Sequence, residues 1–150
     1  MTKTPFQTSP KGEELYLSLG SNLGDRAENL HRAIALIGER VGEVQRVSSF
    51  IETEPWGFES KHPFLNAACL VLTKLSPEEC LKATQQIERE LGRKRKSKNG
   101  VYHDRPIDID LLMYGDLTLS TPKLTLPHPR MKERDFVMIP LREILPSVDD

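Results

Sequence analysis

Cysteine is scarce in this chain: Cys69 and Cys80 are the only two in 150 residues. They show no CxxC spacing and no histidine at metal-ligand spacing, which excludes a zinc module and a disulfide scaffold. Both read as reduced thiols of a cytoplasmic protein. No apolar run approaches the roughly 20 residues of a membrane span, and the N-terminus is polar rather than signal-like. The expectation is a chain with no membrane partner. Net charge is also nearly absent, with 21 basic residues against 22 acidic. That balance excludes general polyanion binding and makes a local basic cluster informative. Internal repeats and low-complexity segments are missing as well.

What is present suits one soluble domain, with 37% hydrophobic and 29% charged residues. Residues 1–12 are rich in Thr, Ser, Pro and Lys and are expected to form a flexible N-terminal arm. The remainder, 13–150, reads as a single domain. Leu15, Leu17 and Leu19 alternate, as in a strand over Glu13 to Leu19. A turn cluster follows at Gly20-Ser21-Asn22-Leu23-Gly24. Asp25 then caps a helix carrying Leu30, Ala33, Ile34, Ile37 and Val41. A second strand is expected over Glu43 to Glu52, and a third over Asn66 to Thr73, apolar enough for burial on both faces. Ser76-Pro77-Glu78-Glu79 is a helix start with a capping box, and Gly92 is its stop. The inward stripe of that helix is Leu81, Thr84, Ile87 and Leu91. The fourth strand is Ile107 to Tyr114. The tail adds short strand candidates near Leu117 and Leu124, then a helix starting near Phe136 and ending before Pro146. The resulting order, βαββαβ, is that of a ferredoxin-like α+β sandwich with a mostly antiparallel sheet, helices packed on it and a C-terminal extension.

The chemistry concentrates in Arg105-Pro106-Ile107-Asp108-Ile109-Asp110. Strand alternation puts Asp108 and Asp110 on one face, about 6.5–7 Å apart. Two carboxylates at that separation can flank metal ions and complete their shells with water and phosphate. The competing reading is a solvated strand face, although Asp is a poor strand former. The run Arg93-Lys94-Arg95-Lys96-Ser97-Lys98 leads into these acids. It is either a phosphate-neutralising loop or an exposed solubilising one. Gly20 to Gly24 lacks the Lys-Ser/Thr ending of a Walker A loop and reads by itself as a structural turn. Trp56, the only tryptophan, with Phe64 and Asn66, either sandwiches a flat heterocycle or closes one end of the core. His128, between Pro127 and Pro129, is held in a stiff segment and can donate to a phosphate or ribose oxygen; otherwise it is a surface histidine. His31 is a poor catalytic candidate, and His62 and His103 fall in loops. A ferredoxin-like RNA-binding domain is one alternative class, but the strand that should carry stacking aromatics reads Ile107-Asp108-Ile109-Asp110, and no RNP pattern is present. A nucleotide-binding module without catalysis is another.

Five stretches appear together in order: Leu19-Gly20-Ser21-Asn22-Leu23-Gly24-Asp25, Phe64-Leu65-Asn66-Ala67-Ala68, Ile87-Glu88 with Gly92-Arg93, Arg105 to Asp110, and Leu126-Pro127-His128-Pro129-Arg130-Met131. As a set they resemble the 6-hydroxymethyl-7,8-dihydropterin pyrophosphokinase family of folate biosynthesis. The resemblance implies magnesium-dependent transfer of pyrophosphate from ATP to the hydroxymethyl group of the dihydropterin, with AMP leaving. It implies two Mg2+ ions held by Asp108 and Asp110, and a catalytic set of Arg93, Arg105, Asp108 and Asp110. Gln85, Glu88, Arg93, Arg95, Arg105, His128 and Arg134 match ATP-binding positions. Thr53, Pro55, Trp56, Phe64, Asn66 and Phe136 match the pterin pocket. The implied partners are those two small molecules, with no nucleic acid, and the implied working form is a monomer.

Overall fold

The computed structural model describes residues 12–53, 63–92 and 106–146. The element order is β1 (Glu13–Ser21), α1 (Arg26–Arg40), β2 (Gly42–Val47), β3 (Ile51–Thr53), β4 (Phe64–Thr73), α2 (Pro77–Glu90), β5 (Asp108–Tyr114), β6 (Leu119–Ser120), β7 (Thr125–Leu126) and α3 (Asp135–Ile144). The main sheet runs β2-β4-β1-β5, with β3 also pairing β4, and each of these pairings is antiparallel. A separate two-stranded ribbon joins β6 and β7.

Alternation along β1 builds both layers. Leu15, Leu17 and Leu19 pack with Ala67, Cys69 and Val71 of β4, and with Leu30, Ala33 and Ile37 of α1 and Ile87 of α2. Tyr16 turns the other way, to Ala68, Leu70 and Leu112, where Val137, Leu141 and Ile144 of α3 cover it. The sheet is thus buried on both faces in its centre, which the unbroken apolar run of β4 foretells. Burial raises both thiols, Cys69 to about 12 and Cys80 to about 11. They are therefore protonated and inert at neutral pH.

The helix caps follow the sequence. Asp25 accepts from the Glu28 N–H at 3.1 Å. Ser76 and Glu79 form the full capping box, with Pro77 in the first turn. Gly92, at φ +107°, takes the left-handed conformation that ends α2 at low steric cost. In α2 the buried stripe is Cys80, Thr84 and Ile87, continued by Leu91, while Leu81 is only half-buried.

Three boundaries differ from expectation, the first being the start of β4 at Phe64 rather than Asn66. β1 continues through Gly20 and Ser21, because these pair with Asn66 and Leu65 rather than turning. The expected single strand from Glu43 to Glu52 is broken into β2 and β3. At the break the Ser48 hydroxyl accepts from the Ala68 N–H at 2.8 Å, while the Ser48 N–H donates to the Ala68 carbonyl at 2.9 Å. A side chain thus replaces one rung of the ladder. Ser49 then turns outward to Glu143 of α3, which accepts from its N–H and hydroxyl. Arg46 donates to the Ile144 carbonyl at 2.9 Å. These contacts pin α3 to the sheet. The arm expected at residues 1–12 lies outside the described residues except for Gly12, which is buried.

Thr73 is the polar joint of the first layer. It is fully buried; its hydroxyl donates to the Val41 carbonyl at 2.6 Å and accepts from the Leu75 N–H at 3.1 Å. Thr73→Val keeps the shape but deprives both backbone groups of a partner. The expected loss is about 1–3 kcal/mol of unfolding free energy. Urea denaturation should show a lower midpoint with an unchanged m-value.

Candidate active site

The site is laid out by strand register. Gly20 of β1 lies opposite Asn66 of β4 on one side and Asp108 of β5 on the other. Ser18, two residues back, lies between Ala68 and Asp110. Paired residues share a face, so Asn66, Gly20, Ser18, Asp108 and Asp110 all look toward the α3 side. Ile107, Ile109 and Leu111 of the same segment are buried in the opposite layer. Asp108 and Asp110 are half-exposed. β5 also carries a bulge: pairing shifts between Tyr16 and Leu17 and skips Leu112.

Gly20 lets Asn66 and Phe64 close over this row. A Cβ there would stand 3.1 Å from Asn66 Oδ1 and 3.2 Å from a Phe64 ring carbon. Both are tighter than ordinary van der Waals contact. Asn66 is buried, and its Nδ2 donates to Thr53 Oγ1 at 2.6 Å, which fixes the amide with Oδ1 over Gly20. Thr53 pairs with Phe64, so Thr53, Phe64 and Asn66 form one cluster beside the acid pair. Phe136, half-buried in the first turn of α3, approaches from the covering layer. The Arg134 guanidinium carbon stands 5.6 Å from its ring centroid, within cation–π range.

His128 stands on the β5 side. Its N–H donates to the Leu112 carbonyl at 2.8 Å, and its Nδ1 accepts from the Arg130 N–H at 3.2 Å. Burial chiefly, then the charges of Arg134 and Arg130, hold its pKa below the ordinary 6.5, against the opposing pull of Asp108. At neutral pH the ring is therefore uncharged. Because Nδ1 accepts, the proton sits on Nε2 and can be donated. His128, Asp110, Leu81 and the β6–β7 turn line a cleft of about 280 Å³. In that turn the Thr121 hydroxyl donates to the Leu124 carbonyl and accepts from its N–H. Thr121, Lys123, Leu124 and Thr125 belong to this cleft, and the sequence reading assigned them no role. The sequence offers only short strand candidates near Leu117 and Leu124 here; Pro122 between them is the turn signal that could have found the hairpin.

The two α2 residues matched to ATP positions differ in setting. Gln85 is exposed. Glu88 is buried, and its Oε2 accepts from the Ile109 N–H at 2.7 Å. His31 is exposed on α1, its ring centroid 5.0 Å from that of Phe50. Pro55, Trp56, His62, Arg93, Arg95, His103 and Arg105 lie outside the described residues.

Among the described residues no three of His, Cys, Asp and Glu converge as a closed metal cage. Two half-exposed carboxylates on one strand face are instead an open set of hard oxygen donors. That suits a cation such as magnesium, which keeps water and phosphate in its shell.

The fold and site together define a class: a ferredoxin-like α+β sandwich with an amide-and-aromatic cluster and a carboxylate pair on one sheet face. The chain matches the profile of the 7,8-dihydro-6-hydroxymethylpterin-pyrophosphokinase (HPPK) family over residues 16–146, and it belongs to that family. It is 55% identical over 133 residues to the 2-amino-4-hydroxy-6-hydroxymethyldihydropteridine pyrophosphokinase of Porphyromonas gingivalis, covering 88% of this chain and 90% of that one. Identity to the enzyme of the same name from Bacillus subtilis is 45% over 135 residues, covering 89% and 79%. The mitochondrial folate synthesis bifunctional protein of Arabidopsis thaliana is 39% identical over 150 residues, which are 26% of its length. A solved HPPK-DHPS chain of Plasmodium falciparum superposes with a TM-score of 0.73 at 16% identity, covering 91% of this chain and 40% of that one. At that identity the likeness is one of fold.

The histidine reading has a direct check. A base held neutral by the fold takes its proton at lower pH than it does in the unfolded chain. Its contribution to stability is complete above the ordinary value of 6.5 and is lost as pH falls from there to the depressed folded pKa. Nitrogen-15 NMR of the metal-free protein is expected to show the Nε2–H tautomer at pH 7 and a His128 midpoint below 6.5. A midpoint at or above that value, or an Nδ1–H ring, contradicts the assignment.

Proposed function

We propose that this chain transfers the β,γ-pyrophosphoryl group of ATP to the hydroxymethyl group of 6-hydroxymethyl-7,8-dihydropterin in a magnesium-dependent reaction of folate biosynthesis. The observation that carries the reading is the row Asn66–Gly20–Asp108. It sets an oriented amide and an acid pair about 10 Å apart, two strand spacings, on one face. That is the distance at which a pteridine edge and its reacting side chain can be held together.

The substrate hydroxyl oxygen forms a bond to the β-phosphorus. The bond from that phosphorus to the α,β-bridging oxygen breaks, AMP leaves with the oxygen, and the hydroxyl proton passes to solvent. Little covalent work falls to the protein; alignment and charge neutralisation do most of it. Asn66, fixed by Thr53, reads the donor and acceptor edge of the heterocycle, and Phe64 and Phe136 offer ring faces to it. Asp108 and Asp110 would hold two magnesium ions, which offset phosphate charge and polarise the reacting oxygens. The cleft by Asp110 accommodates the nucleotide, with Nε2–H of His128 donating to a phosphate or ribose oxygen. Arg134 places positive charge there, and Arg93, Arg95 and Arg105 are assigned to the phosphates. Gln85 is assigned to the nucleotide side, and Pro55 and Trp56 to the pterin pocket. The chain acts as a monomer in the cytoplasm on this reading. The RNA-binding alternative finds no support, since Asp108 and Asp110 occupy the sheet face that would have to stack bases.

AMP formation from ATP, with and without the dihydropterin, tests the activity. Asp108→Asn and Asp110→Asn should each lower turnover on the order of 100-fold or more, with folding intact by circular dichroism. Phe136→Ala should weaken pterin binding by about 1–3 kcal/mol while leaving ATP affinity nearly unchanged in calorimetry. Normal turnover in Asp108→Asn sinks the metal assignment.

A further inference from the structure

β5 is an edge strand of the sheet, so half of its backbone groups face away from β1. On an edge these groups meet water unless another element supplies partners. Here two of them do have partners. The Ile109 N–H donates to Glu88 Oε2 at 2.7 Å, and the Leu112 carbonyl accepts from the His128 N–H at 2.8 Å.

The first contact falls between the two aspartates. Antiparallel pairing alternates inward and outward groups, so an outward Ile109 N–H means that Asp108 and Asp110 turn theirs toward Gly20 and Ser18 of β1. The peptide joining the acids is therefore gripped from both edges, by β1 on one side and by a side chain of α2 on the other. Glu88 is buried, and so is Ile109, so this bond is shielded from competing water. Rotation of the Ile109 peptide would tilt both carboxylates at once, because they flank it.

We propose that Glu88 is a positioning residue: through the Ile109 N–H it locks the outer edge of β5 so that Asp108 and Asp110 keep one common orientation. This rests on the pyrophosphokinase reading for its kinetic consequence, but not for its structural one. It gives Glu88 a role distinct from touching the nucleotide.

The test compares wild type, Glu88→Gln and Glu88→Ala. Amide hydrogen exchange of Ile109 is followed by NMR without magnesium or nucleotide, and kcat and the two KM values are measured separately. A glutamine carbonyl can still accept the N–H, whereas alanine cannot. In Glu88→Ala, Ile109 should exchange at least about tenfold faster, and kcat should fall about 10- to 100-fold through misalignment. KM for the dihydropterin should stay within about twofold, since Asn66 and Phe64 are untouched. Glu88→Gln should retain most of the Ile109 protection and most of kcat. The proposal requires protection and kcat to move together in every variant that folds. It is overturned if Ile109 stays protected in Glu88→Ala. It is equally overturned if Glu88→Gln keeps the protection yet loses kcat or ATP affinity as Glu88→Ala does, which would put the charge of Glu88 on the nucleotide itself. Should Glu88→Ala not fold, the glutamine variant alone decides between these outcomes. If wild type forms no AMP, the enzymatic reading fails, while the exchange arm still reports on the lock.

Discussion

The antiparallel pairing of β1 with both neighbours is the constraint on which the rest depends. β1 is the one strand that touches both halves of the candidate site, with Asn66 across one edge and Asp108 across the other. Its side-chain period of two sends Leu15, Leu17 and Leu19 into the layer beneath α1 and α2. The same period necessarily sends Ser18 and Gly20 to the opposite face. A slip of one residue would drive the polar set into the apolar layer beneath α1 and α2 and turn the leucines to the α3 face, so the hydrophobic core fixes the register of the chemistry. Core and site are two readings of one alternation.

Size matters at the same place. Neighbouring strands stand about 4.8 Å apart, so whatever occupies the middle strand lies between the Asn66 amide and the acids. Glycine lets the Asn66 amide and the Phe64 ring come down onto that strand, and Ser18 is a small residue in the next row. Larger residues return at Tyr16, where α3 covers the sheet. The face therefore grades along one strand from large packed side chains to small and polar ones. α3 contributes to both ends of that gradient, with Leu141 and Ile144 in the packed part and Phe136 toward the polar end.

Much of this was legible from residue patterns. Alternating leucines, the Ser76-Pro77-Glu78-Glu79 start and the Asp25 cap are local signals whose physics does not depend on distant partners. Asp108 and Asp110 stood out for the same reason, as poor strand formers inside a strand. The rest required tertiary partners. The end of β1 looked like a turn because Gly20 and Ser21 are turn formers, yet nine pairings with β4 extend the strand to Ser21. The break at Ser48 was invisible because it depends on a backbone 20 residues away. Glu88 sat on a helical face with no mark of burial until β5 supplied its donor. The cleft by the β6–β7 turn is assembled from short segments too brief to show any period. The basic loop and the Trp56 segment remain sequence-based assignments.

The interruption at Ser48 also bears on what the molecule does not do. β2 and β3 lie on the outer side of β4, where an unbroken strand from Gly42 to Thr53 would offer a long row of vacant donors and acceptors to another chain. The side-chain rung at Ser48 and the outward turn of Ser49 to Glu143 cut that row into one segment of six residues and one of three. Stretches so short make a poor template for a foreign strand. The same serine that completes the ladder therefore guards the sheet against growing beyond its own chain.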